Sequence, residues 1–186
     1  MIEVYLNEGV SFMKRKIELW DEAGHILSSV GKGVLLTAAA DGKVNTMTIG
    51  WGTLGIEWSK PIFIAFVRES RYTKELLDKN PEFTVNIPYG EYDKSILGIC
   101  GTRSGRDMDK IKELGLTLEP SETVSVPGIR ELPLTLECKV IYKQEQDEHA
   151  INEENTQHYY PKEGPQQKGD YHTAYYGQVT AAYIIE

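Results

Sequence analysis

Apolar and polar positions alternate most regularly between residues 132 and 142. There Leu132, Leu134, Leu136, Cys138, Val140 and Tyr142 are interleaved with Pro133, Thr135, Glu137, Lys139 and Ile141. A period of two sends alternate side chains to opposite faces, which predicts a half-buried antiparallel strand. Residues 33–40 are apolar almost throughout and predict a buried strand. Asp41-Gly42 then signals a hairpin that returns residues 44–51 as its partner. Short β-rich runs at 61–67, 82–87 and 176–185 predict further strands, with Pro61 at a first position where a missing N–H does little harm. Helical spacing occurs at 15–30, with Trp20, Ala23, Leu27 and Val30 on one face and Gly31 and Gly33 ending it. It recurs at 71–79, with Tyr72, Leu76 and Leu77 on one side, until Asn80-Pro81 disfavours continuation. A third helix is predicted at 107–114, with Asp107 as cap, Met108, Ile111 and Leu114 as its apolar face, and Gly115 as its stop. Residues 143–174 are polar and irregular, with room for one helical stretch before Pro161.

Strands joined by hairpins, with helices at intervals, argue against a doubly wound parallel sheet, and no Gly-x-Gly-x-x-Gly follows a strand. The expectation is a mainly β, antiparallel barrel or sandwich with peripheral helices. The 186 residues suit one domain with a helical N-terminal stretch over about 1–31. With 40% hydrophobic and 26% charged residues, the composition is that of an ordinary globular protein. No apolar run approaches the roughly 20 residues of a membrane span. Residues 1–6 lack the basic-then-apolar order of a secretory signal. A net charge of −8 disfavours nucleic acid and acidic membrane as partners, while leaving room for a local patch that holds one small anion. The two cysteines, Cys100 and Cys138, are far apart, with no Cys or His at ligand spacing. They read as buried free thiols of a reducing cytoplasm, and no metal is expected.

Three segments carry more chemistry than a plain scaffold needs. In Arg68-Glu69-Ser70-Arg71-Tyr72-Thr73, hydroxyls and arginines stand at the start of a predicted helix. Its free N–H groups and positive dipole end attract phosphate there. A serine that merely caps the helix, beside solvated arginines, fits the same residues and is the commoner case. The segment Cys100-Gly101-Thr102-Arg103-Ser104-Gly105-Arg106-Asp107 holds two glycines, two hydroxyls and two arginines within 101–107. Successive N–H groups in such a turn can form an anion-binding concavity, although an ordinary loop running into an Asp107 cap would look alike. The third segment is Asn45-Thr46-Met47-Thr48-Ile49-Gly50-Trp51-Gly52. It offers backbone groups and threonines to a flat heteroaromatic ring that Trp51 could flank, or else is a sheet strand with Trp51 in the core. His172, among Tyr171, Tyr175 and Tyr176, is a candidate substrate contact or a structural histidine.

Taken in order and spacing, these segments, with Glu82-Phe83-Thr84-Val85-Asn86 and with His172 ahead of Tyr175-Tyr176-Gly177, resemble the flavin reductase-like family of FMN-binding split barrels, the branch that includes flavoredoxin. The resemblance runs from about Leu27 to the C-terminus. It implies a six-stranded antiparallel split barrel that forms a homodimer, with FMN at or near the subunit interface. By position, Asn45, Thr46, Met47 and Thr48 would line the ring and ribityl chain, mostly through the backbone, with Trp51 close to the ring. Ser70, Arg71 and Thr73 would hold the phosphate, within a set that includes Arg68 and Tyr72. Thr102, Ser104 and Gly105 would close over the ribityl or phosphate end, together with Gly101 and Arg106. His172 would approach a nicotinamide and is the candidate catalytic residue. The activity implied is transfer of hydride or electrons from NADH or NADPH to flavin or another acceptor. Alternatives are an FMN electron carrier reduced by a redox partner protein, a flavin-binding module without turnover, and a barrel that binds no flavin.

Overall fold

Asp41 and Gly42 both adopt positive φ, 52° and 75°, so the predicted hairpin closes through a tight turn whose twist suits its strands. In the computed structural model, which describes residues 12–162 and 168–186, this hairpin joins β2 (Val34–Ala40) to β3 (Lys43–Ile49). The reading of residues 1–6 lies outside the described residues. The other elements are β1 (Lys14–Lys16), α1 (Ala23–Val30), β4 (Gly52–Glu57), β5 (Lys60–Arg68), α2 (Tyr72–Lys79), β6 (Glu82–Ile87), α3 (Ser95–Thr102), α4 (Lys110–Glu113), β7 (Leu118–Glu119), β8 (Gly128–Ile129), β9 (Leu134–Glu145), α5 (Glu153–Tyr159) and β10 (His172–Ile185). The main sheet is antiparallel, in the order β3-β2-β6-β9-β10-β5-β4. The long β10 makes the split: residues 172–178 pair with β5, whereas Tyr183, Ile184 and Ile185 pair with β1. The architecture is the antiparallel split barrel with peripheral helices that the resemblance implies, with eight strands rather than six in the main sheet.

The barrel interior is filled by Val34, Leu36, Phe63, Phe83, Val85, Leu134, Leu136 and Tyr175, all nearly or wholly buried. A second cluster covers the outside of the same sheet, where Leu35 meets Ile96, Leu97 and Cys100 of α3, and where Leu116, Ile129 and Leu132 pack. This double cover explains why every residue of β2 is buried. It also corrects the half-buried expectation for β9, whose first five residues are all buried. The polar residues there bind the covering segment rather than water. Asn86 donates to the carbonyls of Ile129 and Leu132 and to Thr135, and Thr84 donates to the Pro127 carbonyl. Glu137 accepts from the N–H groups of Glu122 (2.8 Å) and Thr123 (2.6 Å) and from the hydroxyls of Thr123 and Tyr183.

Burial works against ionisation of Glu137, yet these donors hold its carboxyl below the usual glutamate range. A depressed carboxylate stabilises the fold above its unfolded pKa, and that contribution is lost as pH falls through the lower folded value. Glu137→Gln is expected to lower stability at neutral pH by about 2 kcal/mol, or about 4–8 °C in Tm, and to flatten the acid limb of Tm against pH. Thermal melts of both proteins across the acid range test this; parallel limbs would show that Glu137 does not carry the acid sensitivity.

Several local expectations are corrected. The helix predicted over 15–30 begins only at Ala23, because residues 14–16 form a strand on the end of β10. Its buried face is Ile26 and Val30, while Trp20 and Leu27 are exposed. The third predicted helix shrinks to α4, capped by Asp109 and not by Asp107. The chain after Trp51 is a strand, β4, which turns into β5 through Trp58 and Ser59, both at positive φ. That conformation is rare for a bulky residue, so no turn signal marked it. Among the described residues, no helix is long and apolar enough to cross a membrane.

Candidate functional site

The start of α2, the end of α3 with the turn after it, the strand β3 and the facing ends of β5 and β10 meet around one cleft. Its larger part, about 210 Å³, is lined by Asn45, Met47, residues 70–73, residues 102–106 and Lys110. Its smaller part, about 160 Å³, shares Met47 and Arg71 and adds residues 48–51, Phe66, Arg68 and His172. The chain is strongly acidic, yet among the described residues no carboxylate lines either part. Arg71, Arg103, Arg106 and Lys110 all line the larger one.

Most of the predicted hydroxyls and amides are committed to building the cleft. Asn45 donates through Nδ2 to Thr73 Oγ1 at 2.8 Å, tying β3 to α2. Thr48 donates to the Leu97 carbonyl at 2.6 Å, tying β3 to α3. Thr102 donates to the Gly98 carbonyl within α3. Thr46 is the clear departure: its side chain is fully buried on the opposite face of β3, against Thr37 and the Leu36 carbonyl, so only its backbone remains for a ligand. Gly101 lends its carbonyl to Arg71 Nη1 at 3.0 Å, which joins the two predicted anion segments. Gly105 sits so close to Asn45 and to Tyr72 Cδ1 (2.8 Å from an added Cβ) that a side chain there would close the cleft wall.

The capping alternative for Ser70 does not hold. Arg71 occupies the N-cap of α2 in extended conformation, and no side chain caps the helix. Ser70 instead gives its N–H and hydroxyl to the carboxylate of Asp170, at 2.9 and 2.6 Å. The uncapped start of α2 therefore faces a cleft rich in cations. The helix is fixed from beneath, where Lys74 bridges Asp78 at 2.7 Å and Glu69 at 3.5 Å and Tyr175 donates to Asp78. Arg106 is less available than its position suggests, because Glu75 and the Ser70 carbonyl hold its guanidinium and its face lies over Tyr72. Arg68 belongs to the smaller part of the cleft, where it donates to the carbonyls of Asp170 (2.8 Å) and Tyr159 (3.1 Å).

Trp51 is not a core residue. It is 39% exposed and lies over His172 with ring centroids 4.8 Å apart, while Tyr159 meets it edge-on. His172 is buried, and its Nδ1 is 2.8 Å from the Tyr160 hydroxyl. Burial pushes the imidazole down to about 4; Arg68 and Arg71 add to this and Asp170 opposes it. His172 is thus neutral near pH 7.

Sequence reasoning missed Lys110, which is 3% exposed, with Nζ reaching the Cys100 and Arg103 carbonyls at 3.4 and 3.2 Å. Burial lowers its pKa, Cys100 opposes this and Arg71 adds to it. In sequence, Lys110-Ile111-Lys112-Glu113 reads as a solvated helix face, and nothing local marks Lys110. Tyr160 and Asp170 were missed for the same reason, since they lie in the polar stretch before β10.

This barrel and cleft define a class. The flavin reductase like domain model matches residues 27–186, and the chain belongs to that family. An uncharacterised protein of Archaeoglobus fulgidus is 35% identical over 109 residues, a match that covers 59% of this chain and 60% of that protein. Among solved structures, a flavoredoxin from Methanosarcina acetivorans is 25% identical with a TM-score of 0.61, covering 99% of this chain and 76% of that one. The FMN-binding domain of a flavin reductases-like enzyme from Shewanella baltica shares the fold at 19% identity, with a TM-score of 0.63 and coverage of 95% and 79%.

Proposed function

We propose that this chain binds FMN and acts as an oxidoreductase that passes hydride or electrons from NADH or NADPH to flavin or another acceptor. The observation that carries the reading is the cation-lined cleft, free of carboxylates among the described residues, at the uncapped start of α2 in a chain of net charge −8. The donor set suits a phosphate monoester: helix N–H groups, Arg71 and Lys110, with Arg103 and the Ser104 hydroxyl at the rim. Met47, Thr48 and Trp51 line the smaller part of the cleft beside it, where the proposal places the ring. FMN, when bound, supplies hydride acceptance and release of one or two electrons, while the protein binds, orients and shields. Membership of the flavin reductase-like family supports the same reading.

A homodimer is part of the proposal. Leu27, Val30, Trp51, Gly52 and Phe66 line an apolar hollow beside the cleft, and Leu27 and Trp51 are exposed there, as an interface with a second copy would require. Buried free thiols at Cys100 and Cys138 are in keeping with a reducing cytoplasm. A second reading, an FMN electron carrier served by a redox partner protein, is favoured by Trp51. Tilted against His172 and met edge-on by Tyr159, it lines the smaller part of the cleft, where a nicotinamide would enter.

The test is an absorption spectrum of the protein loaded with FMN, followed by anaerobic NADH and then NADPH. The expected result is bound flavin whose absorption bleaches with one nucleotide. Bound flavin that stays oxidised with both would favour the carrier, and failure to bind FMN would end the flavin reading.

A further inference from the structure

His172 has two ring nitrogens in different situations. Nδ1 lies 2.8 Å from the Tyr160 hydroxyl. Nε2 has no partner among the described residues, where no buried side-chain nitrogen or oxygen goes unpaired, so it reaches the open cleft that His172 lines. Which nitrogen carries the proton is decided by Tyr160. That tyrosine is 3% exposed, stacked on Tyr171 at 4.8 Å, and among the described residues its hydroxyl has His172 as its one partner. If Nδ1–H donated to the phenol oxygen, the phenol proton would be buried with no acceptor, at a cost comparable to a lost hydrogen bond. If the phenol donates to Nδ1, both groups are satisfied and the ring proton resides on Nε2. Arg68 and Arg71 line the same space and disfavour a second proton on the ring, so the imidazole stays neutral with a single proton to place.

We propose that Tyr160 is a positioning residue that fixes His172 as the Nε2–H tautomer, so that His172 acts as a fixed hydrogen-bond donor into the cleft and not as a general base. Such a donor recognises a ligand with a carbonyl or carboxamide oxygen at its reacting end, and takes up no proton from it. The ligand class rests on the oxidoreductase reading above, whereas the tautomer does not.

The two are separated by experiment. Two-bond ¹H–¹⁵N spectra of the four histidines, recorded on flavin-free protein at neutral pH, report each ring nitrogen directly. His172 is expected to show a protonated Nε2 and an unprotonated Nδ1. Tyr160→Phe keeps the ring stack and removes the hydroxyl, and should move both His172 nitrogens towards the averaged shifts of a mixed tautomer. A protonated Nδ1 in the unaltered protein would overturn the proposal, and so would spectra that Tyr160→Phe leaves unchanged. FMN binding, read by absorption on the same samples, tests the flavin reading independently.

Discussion

Arg71→Ala is expected to weaken FMN binding by about ten- to a hundredfold while changing riboflavin binding by less than about threefold. The two ligands differ only in the phosphate, so their ratio isolates that contact from any general damage to the cleft. Removing a charge-assisted hydrogen bond costs about 1.5–3 kcal/mol, and each 1.4 kcal/mol is about tenfold in affinity. Arg71 is suited to this role because it is already held in place. Its Nη1 donates to the Gly101 carbonyl, so the guanidinium sits between the start of α2 and the end of α3 before any ligand arrives. The same bond supplies the competing outcome. If Arg71 serves chiefly to clamp the two segments together, its loss loosens the whole cleft and both ligands weaken alike. Titration of each flavin, followed by fluorescence, distinguishes the two.

What the sequence revealed and what it hid follow a physical division. Strands 33–40 and 82–87 and the turn at Asp41-Gly42 were legible because their signals are local: an apolar run, and residues that accept positive φ. The hairpin through Trp58 and Ser59 was illegible because those residues carry no such preference, and the surrounding sheet imposes the conformation on them. The start of α1 and the burial of Thr135 and Glu137 depend on partners outside their own segments: β10 for the first, Asn86 of β6 for Thr135 and residues 122–123 for Glu137. No periodicity reports such cover. The site divides in the same way. Segments 68–73 and 101–106 announced themselves by clustering arginines, hydroxyls and glycines within a few residues, and the fold brings them together. The functional assignment of individual groups was harder to read: Thr46 points away, and Ser70 is bound by Asp170. The relevant burial of Lys110, by contrast, is created by α3 and its following turn.

Lys110 therefore supplies the second large effect, and one with opposite signs in two measurements. Its ammonium is nearly inaccessible and is met by two carbonyls, with no carboxylate in salt-bridge range among the described residues. Burial disfavours the charged form, so its pKa lies below that of a free lysine. A lysine depressed in the folded state costs stability at neutral pH, and the cost is relieved only as pH rises through the folded pKa. A phosphate in the cleft would reverse the balance by supplying the missing counter-charge. Lys110→Met, which keeps much of the chain's volume, is accordingly expected to leave the flavin-free protein at least as stable, with an unchanged or raised Tm. The same variant should bind FMN about tenfold or more weakly and lose most of the Tm gain that FMN gives the unaltered protein. The two carbonyls belong to the end of α3 and the residue after it, which defines the rival role. If Lys110 works mainly as a cap for that helix, the methionine variant melts at a lower temperature without flavin and keeps its FMN-induced gain. Paired melts with and without FMN separate a charge held in reserve for an anionic ligand from one that serves the fold alone.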